Sequence, residues 1–435
     1  MRILHTADWH IGQTLNGWTR EVEHQAFLAH LADVIEEEAV DALVIAGDVF
    51  DGINPSGDAQ RMLYSALAKF RQRRPHLTTV MVAGNHDPAA RLEAPDAVLQ
   101  VVGVHALGTL RWKDGQVDMD RHLIPVADSD GQVRAMVLAI PFLRAADLPG
   151  LTLGAEATTG SPVVAATRAF HQQLAAQAQA RAGGLPIIAT GHLHCAGGTE
   201  SEGVERRILI GGEHAVPPEI YDPAFAYVAL GHLHRPQNLG GGRVRYSGSP
   251  FPLSAAEIGY DHGVTLVDIR EDGVTATHRP LPRPIPCLQL PERGGMSVGD
   301  LDAVLTALNL DVSAPRDRHP FVWLRFLADR PVPNLLAEIE TVLERHAVRR
   351  AGVRIEQAVR AASETAPPVS LAETSPEELF VSVFQDMHGM PPDARHLAAF
   401  RDAQVGDRRC GSSPSGARTS PAWPTSSRSI SRRSH

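Results

Sequence analysis

The sequence predicts an α/β layered domain over residues 1–275, followed by a small α+β domain over 285–360 and by C-terminal helices. Two observations predict this class. Short apolar runs alternate with amphipathic helical stretches in the first half of the chain, and each run is followed by a short polar segment. Alternation of strand, helix and strand implies parallel pairing with crossover connections. The length of 435 residues suggests two or three domains, at about 100–200 residues per domain.

The layered domain is predicted from the order of its elements. Arg2–Thr6, Ala42–Ala46 and Thr79–Val82 are short apolar runs typical of buried strands. Between them, Glu21–Val40 and Ala59–Arg73 carry apolar residues near helical spacing. Further buried strands are predicted at Met136–Ile140, Pro186–Thr190, Tyr227–Leu230 and Val264–Ile269.

A proline-rich linker precedes the second domain. Arg279–Cys287 contains four prolines, which suits an extended connection. Beyond it, Phe321–Phe326 and Val353–Val359 are predicted strands, and Asn334–His346 is a predicted helix. This mixture predicts the small α+β domain over 285–360.

The C-terminal part begins with a second linker, residues 361–374, rich in Ala, Ser, Glu and Pro. Ser375 and Glu378 form a capping-box pattern around the start of a helix. The segment 375–403 carries an apolar stripe that either docks on its own domain or fits the groove of a partner. Residues 404–435 shift to Ser, Arg, Gly and Pro, which predicts a disordered tail or an altered reading frame.

Composition excludes several classes of protein. The net charge of −9 argues against a freestanding nucleic-acid binder that depends on a basic face. The three cysteines are far apart, so neither a disulfide framework nor a cysteine zinc site is expected. No apolar run approaches the roughly 18–20 residues of a membrane helix, and the N-terminus lacks the apolar region of a signal peptide. We therefore expect a protein of the reducing cytoplasm with no membrane partner.

Five predicted strands each end in a polar segment with candidate metal ligands. Because the carboxyl ends of parallel strands lie along one edge of a sheet, these segments are expected to converge. Nitrogen and carboxylate donors without thiolates suit Mn²⁺, Fe²⁺ or Zn²⁺. There are enough of them for two ions with one bridging carboxylate, and two ions about 3.5–4 Å apart are the usual apparatus for in-line attack on phosphorus. The candidates are Asp8, His10, Asp48, Asn85, His86, His192, His232 and His234.

The spacing of these residues suggests how the backbone could direct several side chains toward one ion. In Asp8-x-His10 and His232-x-His234, alternate residues of an extended segment point the same way, toward one ion. A glycine precedes four of the candidates and is expected to allow a sharp turn without a Cβ penalty. These four are Asp48, Asn85, His192 and His232.

The ordered D-x-H, G-D, G-N-H, H and G-H-x-H segments resemble those of the calcineurin-like metallophosphoesterases. A closer resemblance, to bacterial SbcD-type nuclease subunits, is carried by His5–Gly12, Arg20–Leu28, Ala46–Asp51 and Tyr246–Pro252. It covers roughly residues 1–400. The resemblance implies a layered metallophosphoesterase sandwich whose active site is capped by the small domain.

The resemblance also implies a role for each candidate. Asp48 would bridge two divalent metal ions, most of all Mn²⁺, and His86 would bind the scissile phosphate and protonate the leaving oxygen. The implied activity is cleavage of DNA phosphodiester bonds, as a 3′–5′ exonuclease on double strands and an endonuclease on single strands and hairpins. The implied processes are DNA repair, recombination and replication. The ligands of the first ion would be Asp8, His10 and His234, and those of the second Asn85, His192 and His232.

A partner is implied in the same way. The helices of 375–403 would bind the coiled-coil base of an ABC-type ATPase, the SbcC-type subunit. The chain would act as a homodimer within a heterotetramer. It departs from the family pattern at His194, which belongs to a second Gly-His-Leu-His copy, and in the tail after Gln404.

Three further residues are expected to support the site. Asp87 either orients a histidine or makes a structural hydrogen bond. Asp51 is expected to steady the loop after Asp48. His194 is expected to be structural or to support a neighbouring ligand, with contact to metal or DNA as the alternative.

Two rival functions share parts of this evidence. A calcineurin-like phosphoesterase acting on nucleotides or other small phosphoesters would have the same metal ligands, but it would not need the second domain or the apolar stripe. A scaffold that has lost catalysis would show a broken ligand set, whereas every ligand position here is filled. The sequence therefore favours the nuclease.

Overall fold

The computed structural model describes residues 1–149, 161–201, 215–328, 332–357, 375–388 and 391–408. The chain divides into two compact units, Met1–Ala358 and Val359–His435. The predicted linker 361–374 lies outside the described residues, as does the part of the predicted tail from 409 onward. Among the residues described, no helix combines the length and the apolar character needed to cross a bilayer.

Within the described residues, the strands belong to two large sheets, one small sheet and two hairpins. In chain order they are β1 (Arg2–Thr6), β2 (Thr14–Leu15), β3 (Trp18–Thr19), β4 (Ala42–Ala46), β5 (Thr78–Val82), β6 (Val104–Leu107), β7 (Trp112–Lys113), β8 (Gln116–Val117), β9 (Leu123–Ala127), β10 (Val133–Leu138), β11 (Ile187–His192), β12 (Phe225–Gly231), β13 (Gln237–Leu239), β14 (Val244–Tyr246), β15 (Gly263–Arg270), β16 (Gly273–Pro280), β17 (Cys287–Leu290), β18 (Phe321–Ala328) and β19 (Arg349–Gln357).

The α-helices cover the sheets or form the C-terminal unit. In chain order they are α1 (Glu21–Glu37), α2 (Gly57–Arg73), α3 (Ala89–Glu93), α4 (Asp96–Leu99), α5 (Met119–His122), α6 (Pro162–Ala182), α7 (Leu301–Ala307), α8 (Val332–Leu343), α9 (Pro376–His388) and α10 (Ala394–Arg408).

The first large sheet has the strand order β16-β15-β1-β4-β5-β6. The predicted parallel pairing is present from β1 through β4 and β5 to β6. On the other side, β15 pairs antiparallel with β1, and β16 pairs antiparallel with β15. The predicted end of the layered domain at residue 275 falls inside β16, an edge strand that has no fully buried residue and hence no apolar run to mark it.

The second large sheet has the strand order β13-β14-β12-β11-β10-β9. Its four inner strands are parallel, and each edge strand is antiparallel to its neighbour. The predicted strands at 186–190 and 227–230 are the two central strands of this sheet. The layered domain therefore contains two sheets, each mostly parallel with antiparallel strands at its edge.

Alternate residues of β4 show how the layers pack. Ala42 and Val44 lie in a core shared by the facing surfaces of the two sheets. Leu43 and Ile45 point the other way, into a core under α1 and α2, as the two-residue period of a strand requires. Helix α6 covers the outer face of the second sheet. The four layers run α/β/β/α, which confirms the predicted layered sandwich.

The small domain holds three parallel strands in the order β17-β18-β19. Helices α7 and α8 supply Leu301, Leu305, Ile339 and Leu343 to a separate core. The prediction of a small mixed domain gave β18, α8 and β19 but missed α7 and β17, and it placed the first residue of β17 in the linker. It also did not foresee that all of the described strands are parallel.

A buried arginine joins the layered domain to the small one. Arg20 and Glu23 form an ion pair of 2.6 Å with side chains that are 0% and 1% exposed. The Arg20 guanidinium lies 4.5 Å from the ring centre of Phe251 and 5.6 Å from that of Phe321, which belongs to β18. Arg349 stacks on the same Phe321 ring at 3.8 Å. This junction explains why part of the 20–28 segment is charged yet buried.

We predict that Glu23→Gln destabilises the protein, because it leaves the buried Arg20 charge without its carboxylate. Removing one partner of a buried pair costs about 3–5 kcal/mol, measured here as a shift in the urea unfolding curve. Asp58→Asn is the matched control, since Asp58 pairs with Arg61 at the same three-residue spacing but with both side chains more than 70% exposed. An unfolding midpoint that moves equally in both variants would contradict the prediction.

The described part of the C-terminal unit, residues 375–388 and 391–408, contains two helices. The predicted capping box is present, because Ser375 N–H donates to Glu378 and Glu378 N–H donates to the Ser375 hydroxyl. Phe380 of α9 stacks on Phe400 of α10 at a ring distance of 4.4 Å. Leu379 and Val383, from the predicted apolar stripe, stay 43% and 47% exposed. Helix α10 runs to Arg408, beyond the predicted limit of 403.

Candidate metal centre

The predicted ligands lie at strand ends from both large sheets. The ends of β1, β4 and β5 come from the first sheet, and those of β11 and β12 from the second. The sequence predicted one edge of one sheet. The structure instead places the site where the carboxyl ends of two facing sheets meet, which is why residues more than 200 positions apart are neighbours.

Asp48 lies at the middle of the site. One carboxylate oxygen, Oδ2, is 3.6 Å from His10 Nε2 and 3.3 Å from His192 Nε2. The other, Oδ1, accepts a 2.8 Å hydrogen bond from the backbone N–H of His86. A carboxylate with histidines on two sides has the placement expected of a bridging ligand.

Asn85 joins the ligands on the second sheet's side. Its Oδ1 lies 3.1 Å from His192 Nε2 and 3.1 Å from His232 Nδ1. The backbone N–H of His232 donates to Asp8 Oδ1 at 2.9 Å. Asp8 therefore contacts the chain segment that carries the second sheet's ligands.

Three groups of possible ligands lie at this centre. The ligand atoms within each group lie within 4.8 Å of one another, and the groups are Asp8 with His10 and His234, Asp8 with Asp48 and His192, and His10 with Asp51 and His86. The His86 ring lies 4.9 Å from that of His10, measured between centroids. The structure thus brings together all the predicted ligands and His86, which are Asp8, His10, Asp48, Asn85, His86, His192, His232 and His234.

Four of these residues have left-handed backbone conformations. The φ angles are 54° at Asp8, 46° at His10, 49° at Asp48 and 102° at His232. The extended geometry predicted for Asp8-x-His10 is therefore wrong at both residues, and that predicted for His232-x-His234 is wrong at His232. Asp8 and His10 lie in irregular backbone whose N–H groups donate to the carbonyls of the loop after β4. Such conformations are costly for residues with a Cβ and cluster at functional sites.

The glycines beside the ligands serve two different purposes. Gly47 has a φ of 94°, as the predicted sharp turn requires. Gly84, Gly191 and Gly231 do not have positive φ, so the predicted sharp turn does not explain them. A Cβ would lie closer than 3.0 Å to Asp48 at Gly84, to Tyr221 at Gly191, and to the Ala46 carbonyl as well as His192 at Gly231. For these three the reason is close approach of the backbone to a neighbouring group, which sequence spacing does not reveal.

Asp87 connects two ligand loops through backbone atoms. Its carboxylate accepts hydrogen bonds from the N–H groups of Val49, Phe50 and Gly84 at 2.8–3.1 Å. Burial raises the pKa of Asp87 to about 6. Of the two alternatives predicted for this residue, the described contacts match the structural hydrogen bond.

Asp51 and His194 lie beside the predicted ligands. Asp51 Oδ1 is 3.1 Å from His10 Nδ1, and the Asp51 carbonyl is 2.9 Å from His86 Nδ1. A carbonyl can only accept, so Nδ1 of His86 carries the proton in this contact. His194 has its ring centre 6.4 Å from that of His232, and its Nε2 is 3.3 Å from Glu200 Oε1.

Sequence reasoning missed two supporting residues. Glu257 is fully buried, with Oε1 3.0 Å from His234 Nδ1. His24 is buried with Nε2 2.9 Å from the carbonyl of Trp9, between two predicted ligands. Glu257 lies in a short turn without a motif, so no local signal could have found it. His24 lies within Arg20–Leu28, and its position in a predicted helix did not indicate a contact with the Trp9 carbonyl.

Charge and burial oppose each other at this centre. Burial disfavours the Asp48 carboxylate, but the charges of His192 and His10 outweigh it and hold its pKa well below the usual range. Burial likewise disfavours protonated His192, yet the Asp48 carboxylate raises the His192 pKa to about 9. A divalent cation at this position competes with the proton on His192, because a histidine must be neutral to bind metal.

The donor set fits a pair of divalent metal ions. His10 Nε2 is buried and makes no hydrogen bond within the described part of the chain, although it faces Asp48 Oδ2 at 3.6 Å. A buried polar atom of this kind needs a partner, and a cation bound by both groups supplies one. The nitrogen and oxygen donors match the preferences of Mn²⁺, Fe²⁺ and Zn²⁺.

Comparison with known proteins gives the family. Residues 1–236 match the model of the calcineurin-like phosphoesterases, and residues 283–388 match the model of the type 5 capsule protein repressor C-terminal domain. The SbcD subunit of the SbcCD nuclease of Rhodobacter capsulatus is 59% identical over 384 residues, covering 88% of this chain and 94% of that protein. Its namesake from Escherichia coli K12 is 35% identical over 355 residues, covering 79% and 82%. This chain belongs to the calcineurin-like phosphoesterases and, among them, to the family of SbcD subunits of SbcCD nucleases.

Proposed function

We propose that this chain is the nuclease subunit of an SbcCD-like complex and hydrolyses DNA phosphodiester bonds with two divalent metal ions, Mn²⁺ in the cell. The observation that carries the proposal is the cluster of possible ligands around Asp8 and Asp48, in a chain of this family: Asp8 belongs to two of the ligand groups, and Asp48 lies between His10 and His192. The proposed substrates are double-stranded DNA, cut as a 3′–5′ exonuclease, and single strands and hairpins, cut as an endonuclease. The proposed processes are DNA repair, recombination and replication in the cytoplasm.

The ligands divide between two positions. Asp8, His10 and His234 would hold one ion, and Asn85, His192 and His232 the other, with Asp48 shared. When bound, such a pair lowers the pKa of water and stabilises the charge that develops on the phosphate oxygens. Asp87 supports this arrangement, since its hydrogen bonds connect the loop after Asp48 to the loop that begins at Gly84.

His86 is the proposed proton donor to the leaving 3′ oxygen. Its backbone N–H is bound to Asp48, and its Nδ1 is held by the carbonyl of Asp51. Nε2 is therefore the atom left to exchange a proton. A histidine fixed on both sides beside the ligands is suited to general acid catalysis.

The C-terminal helices are the proposed contact with the ATPase partner, through 375–403. Leu379 and Val383 are exposed on α9, which suits a helix that fits an apolar groove. The net charge of −9 supplies little attraction for DNA. Much of the DNA affinity is therefore proposed to come from the SbcC-type partner and from a homodimer within a heterotetramer.

The small-substrate alternative shares the metal centre. It is disfavoured because two curated proteins that match four fifths or more of their length are named as nuclease subunits. The small domain also matches a separate family model, over residues 283–388. A minimal phosphatase would need neither the small domain nor the apolar stripe of the C-terminal helices.

The test is cleavage of end-labelled single-stranded and hairpin DNA by the purified full chain, with and without Mn²⁺. We expect Mn²⁺-dependent cleavage that EDTA abolishes and that Asp48→Asn reduces by at least about 10²-fold, because a bridging ligand is lost. Turnover of bis-p-nitrophenyl phosphate without cleavage of any DNA, even when the ATPase partner is added, would support the small-substrate alternative instead.

A further inference from the structure

The histidines of the two proposed metal positions are backed by different groups. At His10 and His234, the nitrogen turned away from the centre, Nδ1, faces a carboxylate: Asp51 at 3.1 Å and Glu257 at 3.0 Å. At His192, Nδ1 faces the backbone carbonyl of Ala46 at 2.9 Å. Both carboxylates therefore support the position at Asp8, and the described contacts place none behind His192.

Glu257 is held rigidly before any metal arrives. Its side chain is fully buried. Oε2 accepts from the Leu253 N–H at 2.8 Å, and Oε1 accepts from the Ser254 hydroxyl at 3.1 Å. The Glu257 carbonyl also lies 2.9 Å from Nε2 of buried His262, whose Nδ1 is 3.0 Å from the carbonyl of Ser249. The carboxylate thus has a fixed direction toward His234.

A carboxylate on the outer nitrogen of a histidine acts in two ways. It holds the proton at Nδ1, which leaves Nε2 free to bind metal, and it makes Nε2 a more basic ligand. A backbone carbonyl fixes the same tautomer but carries no charge. We propose that Glu257, with help from Asp51, is a positioning residue that makes the metal position at Asp8, His10 and His234 the tighter of the two. This inference rests on the two-metal centre of the proposed function.

The two carboxylates are not equal. The Glu257 side chain is 0% exposed, whereas that of Asp51 is 40% exposed. Water screens a charge at the surface more than one in the interior. Glu257 is therefore expected to contribute more to metal affinity than Asp51.

The experiment is titration of the metal-free full chain with Mn²⁺ by isothermal calorimetry, which measures binding without any turnover. We expect two steps for the wild type. Glu257→Gln should weaken the tighter step by roughly 10–100-fold, the usual effect of losing such a partner, and leave the weaker step unchanged. Asp51→Asn should weaken the same step by less.

Glu93→Gln is the matched control, because Glu93 is also a buried carboxylate but binds Arg111 and the Thr109 N–H rather than a predicted ligand. Both steps should stay at wild-type affinity in this variant. Circular dichroism of each metal-free variant reports whether it is folded. If Glu257→Gln does not fold, the test is whether Asp51→Asn weakens the tighter step and leaves the weaker step unchanged.

Three results would count against these ideas, and they are distinguishable. A folded Glu257→Gln protein with an unchanged tighter step overturns the inference, and so does equal weakening of both steps. A wild-type chain that binds fewer than two Mn²⁺ ions overturns the proposed centre itself, whatever the variants do.

Discussion

Gly84→Ala is expected to reduce metal-dependent hydrolysis by about 10²-fold, although it adds a single methyl group. A Cβ at this position would lie closer than 3.0 Å to both the side chain and the backbone nitrogen of Asp48. Because Asp48 is fixed on three sides by His10, His192 and the N–H of His86, it cannot move without losing those contacts. A displacement of about 1 Å costs about 10²-fold in rate. The Mn²⁺-dependent rate and the bound Mn²⁺ per chain both measure the effect.

Gly52→Ala is the control for that change. Gly52 lies in the loop that follows Asp48, and a Cβ there would meet nothing within 4 Å. We expect this variant to keep wild-type activity and metal content. If Gly84→Ala retained both as well, the close approach of the chain to Asp48 would not matter for the centre.

His86→Gln is expected to reduce kcat by about 10²–10⁴-fold, the usual contribution of a general acid. His86 is not among the predicted ligands, so Mn²⁺ binding should persist. The loss should depend on the leaving group. DNA releases a poor leaving group that needs a proton, whereas bis-p-nitrophenyl phosphate releases a phenolate that needs much less help.

Steady-state rates on both substrates therefore separate two roles for this side chain. A large loss on DNA with a small loss on the nitrophenyl ester supports proton donation. Equal losses on both would rule out that role and leave His86 as a phosphate-binding group alone. Loss of bound Mn²⁺ in the variant would instead make it part of the metal-binding set.

Strands that are buried on both faces of a sheet were predicted correctly, whereas an edge strand was missed. β4 is a continuous apolar run because both faces of the sheet are covered, and β1 is almost as fully buried although only Ile3 and Leu4 are apolar. The predicted bounds of both strands match the structure. β9 was missed because Pro125 interrupts it, and proline is typical of edge strands. Helix α6 was missed because it is largely alanine and has no clear apolar stripe.

The site residues that could be predicted are those that directly follow the end of a predicted strand. Asp48 and His192 each follow a glycine at the end of an apolar run, so local sequence pointed to them. Glu257 gave no such signal, since its importance comes from contact with His234 across 23 residues. The reason for Gly84 was also hidden, because it depends on how close the loop after β5 comes to Asp48.

The position of β1 in its sheet bears on how the chain is made. Arg2 pairs with Asp268 on one side, while the other side of the strand pairs with β4. Contacts that span so much sequence form late. A nascent chain therefore cannot complete its first strand's pairing until residue Asp268 has left the ribosome. His232, His234 and Glu257 also arrive near the end of that interval. A chain that ends before His232 consequently lacks two of the predicted ligands, so the metal centre cannot be complete until more than half of the chain has been made.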